Sequence, residues 1–436
     1  MRVDNGYDSV TFSAASAASF KHKLMAWLAA CRYHALLDGC QTTQDAYGTY
    51  EWLAAGCVHQ TQLLTDWQAL QSDYRGRWLL GAIGYEQKSA FEPKAVTAVP
   101  PLLALPSTVF FEPDVVCYQP RGTDQIVLLA KTDAAAVRQA VEAQPLLPAS
   151  PQPLLAFASN FTRARYLDAI ARIKAHIVAG DTYQVNLSQQ FVAQGRLAHP
   201  FATFERLCQN SPVPMAAYLR LGDYYALCTS PERFLKLSGD ALITQPIKGT
   251  IARGTTPAQD EERKRQLAAS AKDQAENVMI VDMARNDLHR SCAAGSVQVP
   301  HLYQVQTFSK LHHLVSTVTG TKRTEVDTLQ AIANAFPPAS MTGAPKVRTM
   351  QLIDQYEGVG RGLYAGAIGY LAPSGDFDFN VVIRTLVYDA ARGLCSYHVG
   401  GGITYDSDPA REYDETLLKA QALQEVLSGV SPLPRA

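Results

Sequence analysis

The feature that most constrains this chain is a repeated pairing of strand-like runs across turns too short for a crossover. MAAYLRL and YYALCT flank Gly222-Asp223, RFLKL and ALITQPI flank a turn at 238–240, and GLYAGAIGYL and FDFNVVIRTLVY flank one at 372–376. A parallel connection needs roughly a dozen or more residues, so these pairs must run antiparallel. Helical patterns are interspersed. Thr162 can cap a helix whose apolar Tyr166, Ile170, Ile173 and Ile177 share one face and which Gly180 ends. Thr256 with Pro257, then Ser270, open two more helices, and a last one runs from about 409 to 428. The expected fold is α+β, built on antiparallel sheet rather than on a doubly wound parallel one.

With 436 residues the chain has room for two or three average domains or one large one. The proline-rich stretch QPLLPASPQPLLAF at 144–157 is the best boundary, dividing an N-terminal region, 1–150, from a second region, 151–430. Before it, RWLLGAIGYE is the clearest strand. Lysine and arginine number 39 against 40 acidic residues, a balance that gives no reason to expect nucleic acid or an anionic membrane as a partner. No apolar run approaches the roughly 20 residues of a membrane helix. The eight cysteines form no CxxC pair and no zinc spacing, so reduced thiols and a cytoplasmic location are expected.

Several charged residues sit where burial is expected. Lys248 interrupts the strand-like ALITQPIKGTIA and must face solvent or a pocket at the strand's end. Glu232, in SPERF, begins a strand beside apolar residues, where a raised pKa would let it hold a proton for a leaving group. Asp273 and Glu276, and again Glu412 and Glu415, are three apart on helices and so share a face. Two such faces brought together suit Mg²⁺, which keeps some of its waters; solvated helix faces are the simpler reading of either pair alone. Arg384 lies within the strand-like VVIRTL and can fork onto a carboxylate. Gly400, Gly401 and Gly402 mark a close approach to the main chain, or a bulge. In SMTGAPKVR, Lys346 and Arg348 follow a helix start, a candidate anion site without the P-loop pattern.

The segments DTYQVNLSQQF, SPERF, PIKGT, AENVMIVDMARNDL, HLVSTVTG, FPPASMTGAPKVRTMQLI, GLYAGAIGY, FNVVIRT, HVGGGIT and DETLLKA, in this order, resemble the chorismate-utilising enzyme family from about residue 160 to 428. LLGAIGYE resembles the N-terminal part of the same family. The resemblance implies a sandwich core of mainly antiparallel sheets with helices packed outside, both regions interwoven in one unit. It also implies that Lys248 is a nucleophile adding to carbon 2 of chorismate and that Glu232 is the general acid for the departing hydroxyl. Glu276 and Glu415 would be Mg²⁺ ligands, with Asp273 and Glu412 as companions. Thr250, His313, Tyr364, Arg384, Gly400, Gly401, Gly402 and Lys419 would contact the substrate.

Within that family PIKGT is typical of members that aminate chorismate at carbon 4 with ammonia, whereas anthranilate synthase large subunits carry alanine in place of the lysine. Gln184 stands where isochorismate and salicylate synthases have a water-activating lysine, which argues against those activities. Anthranilate synthase component I remains the alternative, and a non-catalytic relative is disfavoured because the whole constellation is present. No GxCxG nucleophile elbow is found, so ammonia is expected to come from a separate glutamine amidotransferase subunit. No C-terminal lyase region is expected beyond the last helix.

Overall fold

The expected hairpins are present. Leu221 pairs with Tyr224 and Ser238 with Ala241, each across a two-residue turn whose glycine lies in the left-handed region, Gly222 at φ +67° and Gly239 at φ +62°. Leu371 and Phe377 close the third hairpin. The structure, a computed structural model, describes residues 6–42, 45–59, 63–95, 99–146 and 154–428. The expected boundary near residue 150 falls at 147–153, outside the described residues.

Two sheets, of eleven and ten strands among the described residues, are antiparallel throughout their pairings. In the first, Tyr33–Asp38 pairs with Met215–Leu221, and the sheet continues through Tyr224–Ser230, Thr385–Asp389 and Leu394–Ile403 to Val185–Gln194 and Ala158–Ser159. In the second, Leu79–Ile83 pairs with Ala367–Leu371, and the sheet continues through Phe377–Asn380, Arg233–Ser238, Ala241–Gln245 and Leu311–Thr321 to Ile247–Ala252. Strands from either side of residue 150 thus pair directly in both sheets, Leu219 opposite Ala35 and Gly369 opposite Gly81.

The layers follow from strand alternation. Ala35 and Leu53 point into a core shared with Leu80, Phe111 and Ile368 of the other sheet. Their neighbours Leu36 and Ala54 point out, against Leu24 and Leu28 of the helix Ala17–Leu28. On the outer face of the second sheet, Ile170, Val281, Ile332 and Leu352 bring helices onto Leu79, Phe110 and Leu235. Both faces of both sheets are covered, which is why LLGAI is buried at every position and shows no polar alternation. The helix caps follow the sequence: Thr162, Thr256 and Ser270 each accept from a backbone N–H three residues on.

FDFNVVIRTLVY departs from the single strand expected. Phe377–Asn380 belongs to the second sheet and Thr385–Asp389 to the first, and residues 381–384 carry the chain across. Arg384 ends that passage at φ +51°, so it lies in a crossover rather than within a strand. No helix among the described residues is long and apolar enough to cross a membrane.

Close sheet packing sets a test. A Cβ at Gly369 would lie 2.1 Å from the Asp378 carbonyl oxygen, a backbone atom that cannot swing aside. Gly369→Ala should therefore destabilise the chain by on the order of 3 kcal/mol, seen as a lowered melting temperature in calorimetry; an unchanged transition would contradict this packing.

Candidate active site

The site forms where the edge strand Ile247–Ala252 of the second sheet meets Leu394–Ile403 of the first. Gly402 makes the approach possible: a Cβ there would lie 2.9 Å from Lys248 Nζ and 2.8 Å from Gln184 Nε2. Gly249, at φ +90°, lets the same strand press against the helix Ala271–His289, its Cβ position 3.0 Å from the Asp273 Cβ. Lys248 therefore faces the pocket and not open solvent. Burial lowers its amine pKa, Lys419 helps, and Glu276, Glu232 and Glu415 oppose without prevailing.

Glu232 is 4% exposed, and burial raises its carboxyl to about 7. Ser340, Lys248, the Ile247 N–H and Arg384 all pull it the other way. Ser340 faces the carboxyl without a hydrogen bond of good geometry, since its Oγ is among the buried atoms with no partner. Near neutral pH the carboxyl is thus divided between its two forms beside a lysine that loses its proton more readily than usual.

Thr250 and His313 are directly paired across their strands, with Thr250 Oγ1 2.8 Å from His313 Nδ1. Arg384 Nη2 stands 3.4 Å from Nε2. A guanidinium only donates, so Nε2 accepts and the ring proton sits on Nδ1, donating to Thr250. Burial, with Arg384 beside it, holds the His313 pKa well below the ordinary histidine value, so the ring is neutral. Burial also pulls Arg384 down to about 10, against the attraction of Glu232.

The four helix carboxylates come together around a cation the sequence analysis passed over. Lys272 Nζ is 3.8 Å from Glu276 Oε1 and 3.9 Å from Glu412 Oε1. Burial lowers its pKa, but Glu276, Glu412, Glu415 and Asp273 outweigh that and raise it. Helical spacing held the signal, for Lys272 precedes Glu276 by four residues. Ser407 donates to Glu412 Oε1 at 2.7 Å, and Lys419 Nζ bridges Glu415 at 2.8 Å and the Gly400 carbonyl at 3.1 Å. No group of three or more His, Cys, Asp or Glu among the described residues could hold a metal unaided. A cleft of opposed carboxylates that already draws an ammonium suits Mg²⁺, which takes one or two protein carboxylates and completes its shell with water and substrate oxygens.

Tyr364 and the Lys346–Arg348 pair have these surroundings. Tyr364 stacks on His398 at 5.0 Å with the Arg361 guanidinium 5.5 Å from its ring, and it joins the cluster through strand Leu394–Ile403, where His398 stands two residues before Gly400. The Lys346–Arg348 anion site is not formed. Lys346 turns inward to Asp287 at 2.7 Å and to the carbonyls of Ala335 and Pro337, while Arg348 pairs with Asp181 at 3.0 Å. Buried carboxylate and carbonyl partners are a stronger claim on that lysine than a solvated anion.

Residues 22–425 match the family of chorismate binding enzymes, and the chain belongs to that family. Among curated relatives, aminodeoxychorismate synthase component 1 of Salmonella typhimurium is 39% identical over 79% of this chain and 75% of its own length. Aminodeoxychorismate synthase of Streptomyces pristinaespiralis is 43% identical over 70% of this chain, and the match spans only 43% of that longer protein. Among solved structures, anthranilate synthase component I of Streptococcus pneumoniae superposes with a TM-score of 0.71 at 23% identity, covering 95% of this chain and 92% of that one, a likeness of fold.

The depressed amine is directly testable. With a trace of a small amine reagent over a pH series, labelling of Lys248 should reach half its maximum at lower pH than that of the exposed lysines, as read by peptide mapping. The same midpoint as an exposed lysine would contradict the electrostatic account.

Proposed function

We propose that the chain carries the activity named for its Salmonella relative, the amination of chorismate with ammonia to 4-amino-4-deoxychorismate, on a cytoplasmic route to para-aminobenzoate. The observation that carries this reading is the burial, within electrostatic reach of each other, of Lys248, its amine held below its ordinary pKa, and Glu232, its carboxyl held near 7. A nucleophile needs its lone pair free and a leaving hydroxyl needs a proton, and burial moves each group towards the form its role requires.

In this scheme the neutral Lys248 amine adds to carbon 2 of the ring, the two ring double bonds shift, and the bond from carbon 4 to its hydroxyl breaks. Glu232 gives that hydroxyl its proton, so it leaves as water, and the proton released by the lysine nitrogen restores the acid. Ammonia then forms a bond at carbon 4, the double bonds return, and the bond to Lys248 breaks, freeing the amine. The net change is chorismate plus ammonia to the amino product plus water. Neutral His313 keeps its Nδ1 proton on Thr250 and leaves Arg384 available to fork onto a substrate carboxylate. The backbone N–H groups of the 400–402 glycines and Lys419 would hold the other carboxylate.

Glu276 and Glu415, with Asp273 and Glu412 as companions, would hold Mg²⁺. The ion when bound would neutralise a substrate carboxylate and so let an anion enter an acidic cleft. The ammonia would come from a glutamine amidotransferase subunit, in line with the relative's designation as a component. The anthranilate synthase alternative is separated by product, since it would release pyruvate with a fluorescent aromatic amine.

Three outcomes check the proposal. Lys248→Ala should abolish amination while chorismate still binds in calorimetry; undiminished turnover would remove the nucleophile. Glu232→Gln should lower kcat by about a hundredfold or more, and the parent's rate should fall as pH rises through about 7, where Glu232 gives up its proton; a flat profile would oppose the acid role. Glu276→Ala should weaken Mg²⁺ binding by about tenfold or more in titration, and parent-like affinity would remove the metal assignment.

A further inference from the structure

The acidic cleft is built from two helices, and each brings a lysine of its own. Lys419, on Pro409–Leu427, is anchored: its Nζ holds Glu415 on the same helix and also the Gly400 carbonyl, a backbone atom that ties it to the sheet. Lys272, on Ala271–His289, has no such anchor. Among the described residues its ion pairs are Glu276 on its own helix at 3.8 Å and Glu412 on the other at 3.9 Å, and no other ion pair joins these two helices.

The helix itself gains nothing from this lysine. Lys272 lies in the first turn, where the free N–H groups and the helix dipole disfavour a cation, and Ser270 already caps that end by accepting from the Asp273 N–H. Its partners are covered and it is not: the Glu276 and Glu412 side chains are 15% and 6% exposed, that of Lys272 56%. The ammonium thus lies on the solvent side of two shielded carboxylates. Glu412 Oε1 is also held by the Ser407 hydroxyl at 2.7 Å, so the carboxylate is fixed and the lysine is the part free to move. At 3.8 and 3.9 Å neither lysine contact is a hydrogen bond, and an exposed side chain held by charge alone is released at little cost.

Carboxylates gathered from two helices repel one another unless a cation stands among them. Lys272 supplies that charge across the gap. A divalent cation on Glu276 would share this carboxylate with the ammonium, and like charges on one carboxylate repel. We propose that Lys272 is a place-holding cation, which bridges the two acidic helices while Glu276 and Glu415 carry no metal and swings out to solvent when Mg²⁺ takes those carboxylates. The ammonium keeps its proton throughout and exchanges carboxylate partners for water. Lys272 thereby limits the affinity of the cleft for the ion, since each Mg²⁺ that binds has to displace it, and it keeps the acidic faces together in the meantime. The proposal rests on the reading that Glu276 and Glu415 hold Mg²⁺.

The test uses the purified full chain with Mg²⁺ alone and no chorismate. Lys272→Met keeps the helix propensity of the side chain and removes its charge, and in calorimetric titration it should bind Mg²⁺ about tenfold more tightly than the parent. In EDTA the same variant should melt below the parent, and saturating Mg²⁺ should raise its melting temperature by more than it raises the parent's. Lys272→Arg restores the cation and should return both readings to the parent's. A lysine that merely decorated the helix surface would give the opposite sign in EDTA, because removing a first-turn cation stabilises a helix. Mg²⁺ affinity unchanged or weakened in Lys272→Met, or melting at or above the parent's in EDTA, would overturn the place-holder while leaving the metal assignment standing. A parent chain that binds no Mg²⁺ would overturn that assignment and this proposal with it.

Discussion

Lys248 stands where it does because Gly402 has no side chain. The two strands belong to different sheets, and only an absent Cβ lets the amine come within 2.9 Å of the position one would take. The rest of the site depends on that meeting. Gly249 brings the same strand onto the helix that carries Asp273 and Glu276, and the neighbouring Gly400 carbonyl receives Lys419 from the helix Pro409–Leu427 that carries Glu412 and Glu415. A methyl group at Gly400 would meet the Leu187 carbonyl oxygen at 2.5 Å, which cannot give, whereas one at Gly402 would displace the ends of Gln184 and Lys248 and with them the amine itself.

The electrostatics turn on which effect wins. Carboxylates around Lys248 favour its charged form, and desolvation disfavours it; desolvation prevails. The same burial lifts Glu232 to about 7 although Lys248 and Arg384 both favour the carboxylate. An exposed pair of this kind would rest as ammonium and carboxylate. Held away from water, each moves towards its neutral form. Lys272 lies on the wetter side, where the four carboxylates prevail and its charge is kept. Glu276 and Glu415 thus act on both a lysine whose burial favours losing its proton and one whose surroundings favour holding it.

Much of this was legible in the sequence for local reasons. The glycine-aspartate turns and the caps at Thr162, Thr256 and Ser270 act within a few residues, and so do the helical spacings that put Asp273 with Glu276 and Glu412 with Glu415. What was not legible is set by distant partners. Nothing near Arg384 says that its run leaves one sheet and joins another, and nothing near Lys346 reveals Asp287, so an inward lysine read as part of an anion site. Tyr364 reads as a site residue, but its ring neighbours, His398 and Arg361, are fixed by the fold. LLGAI shows no alternation because both its faces are covered, a fact of tertiary layering.

The family of chorismate binding enzymes supplies the frame, and the chemistry proposed for this chain rests on one nitrogen forming a temporary bond to carbon. The most direct measurement is intact-protein mass spectrometry with peptide mapping after incubation with chorismate and Mg²⁺ in the absence of ammonia. The account predicts a mass increase equal to chorismate less one water, located on the peptide containing Lys248 and discharged when ammonia is added. A chain whose mass does not change, yet which yields the amino product as soon as ammonia is supplied, would contradict it.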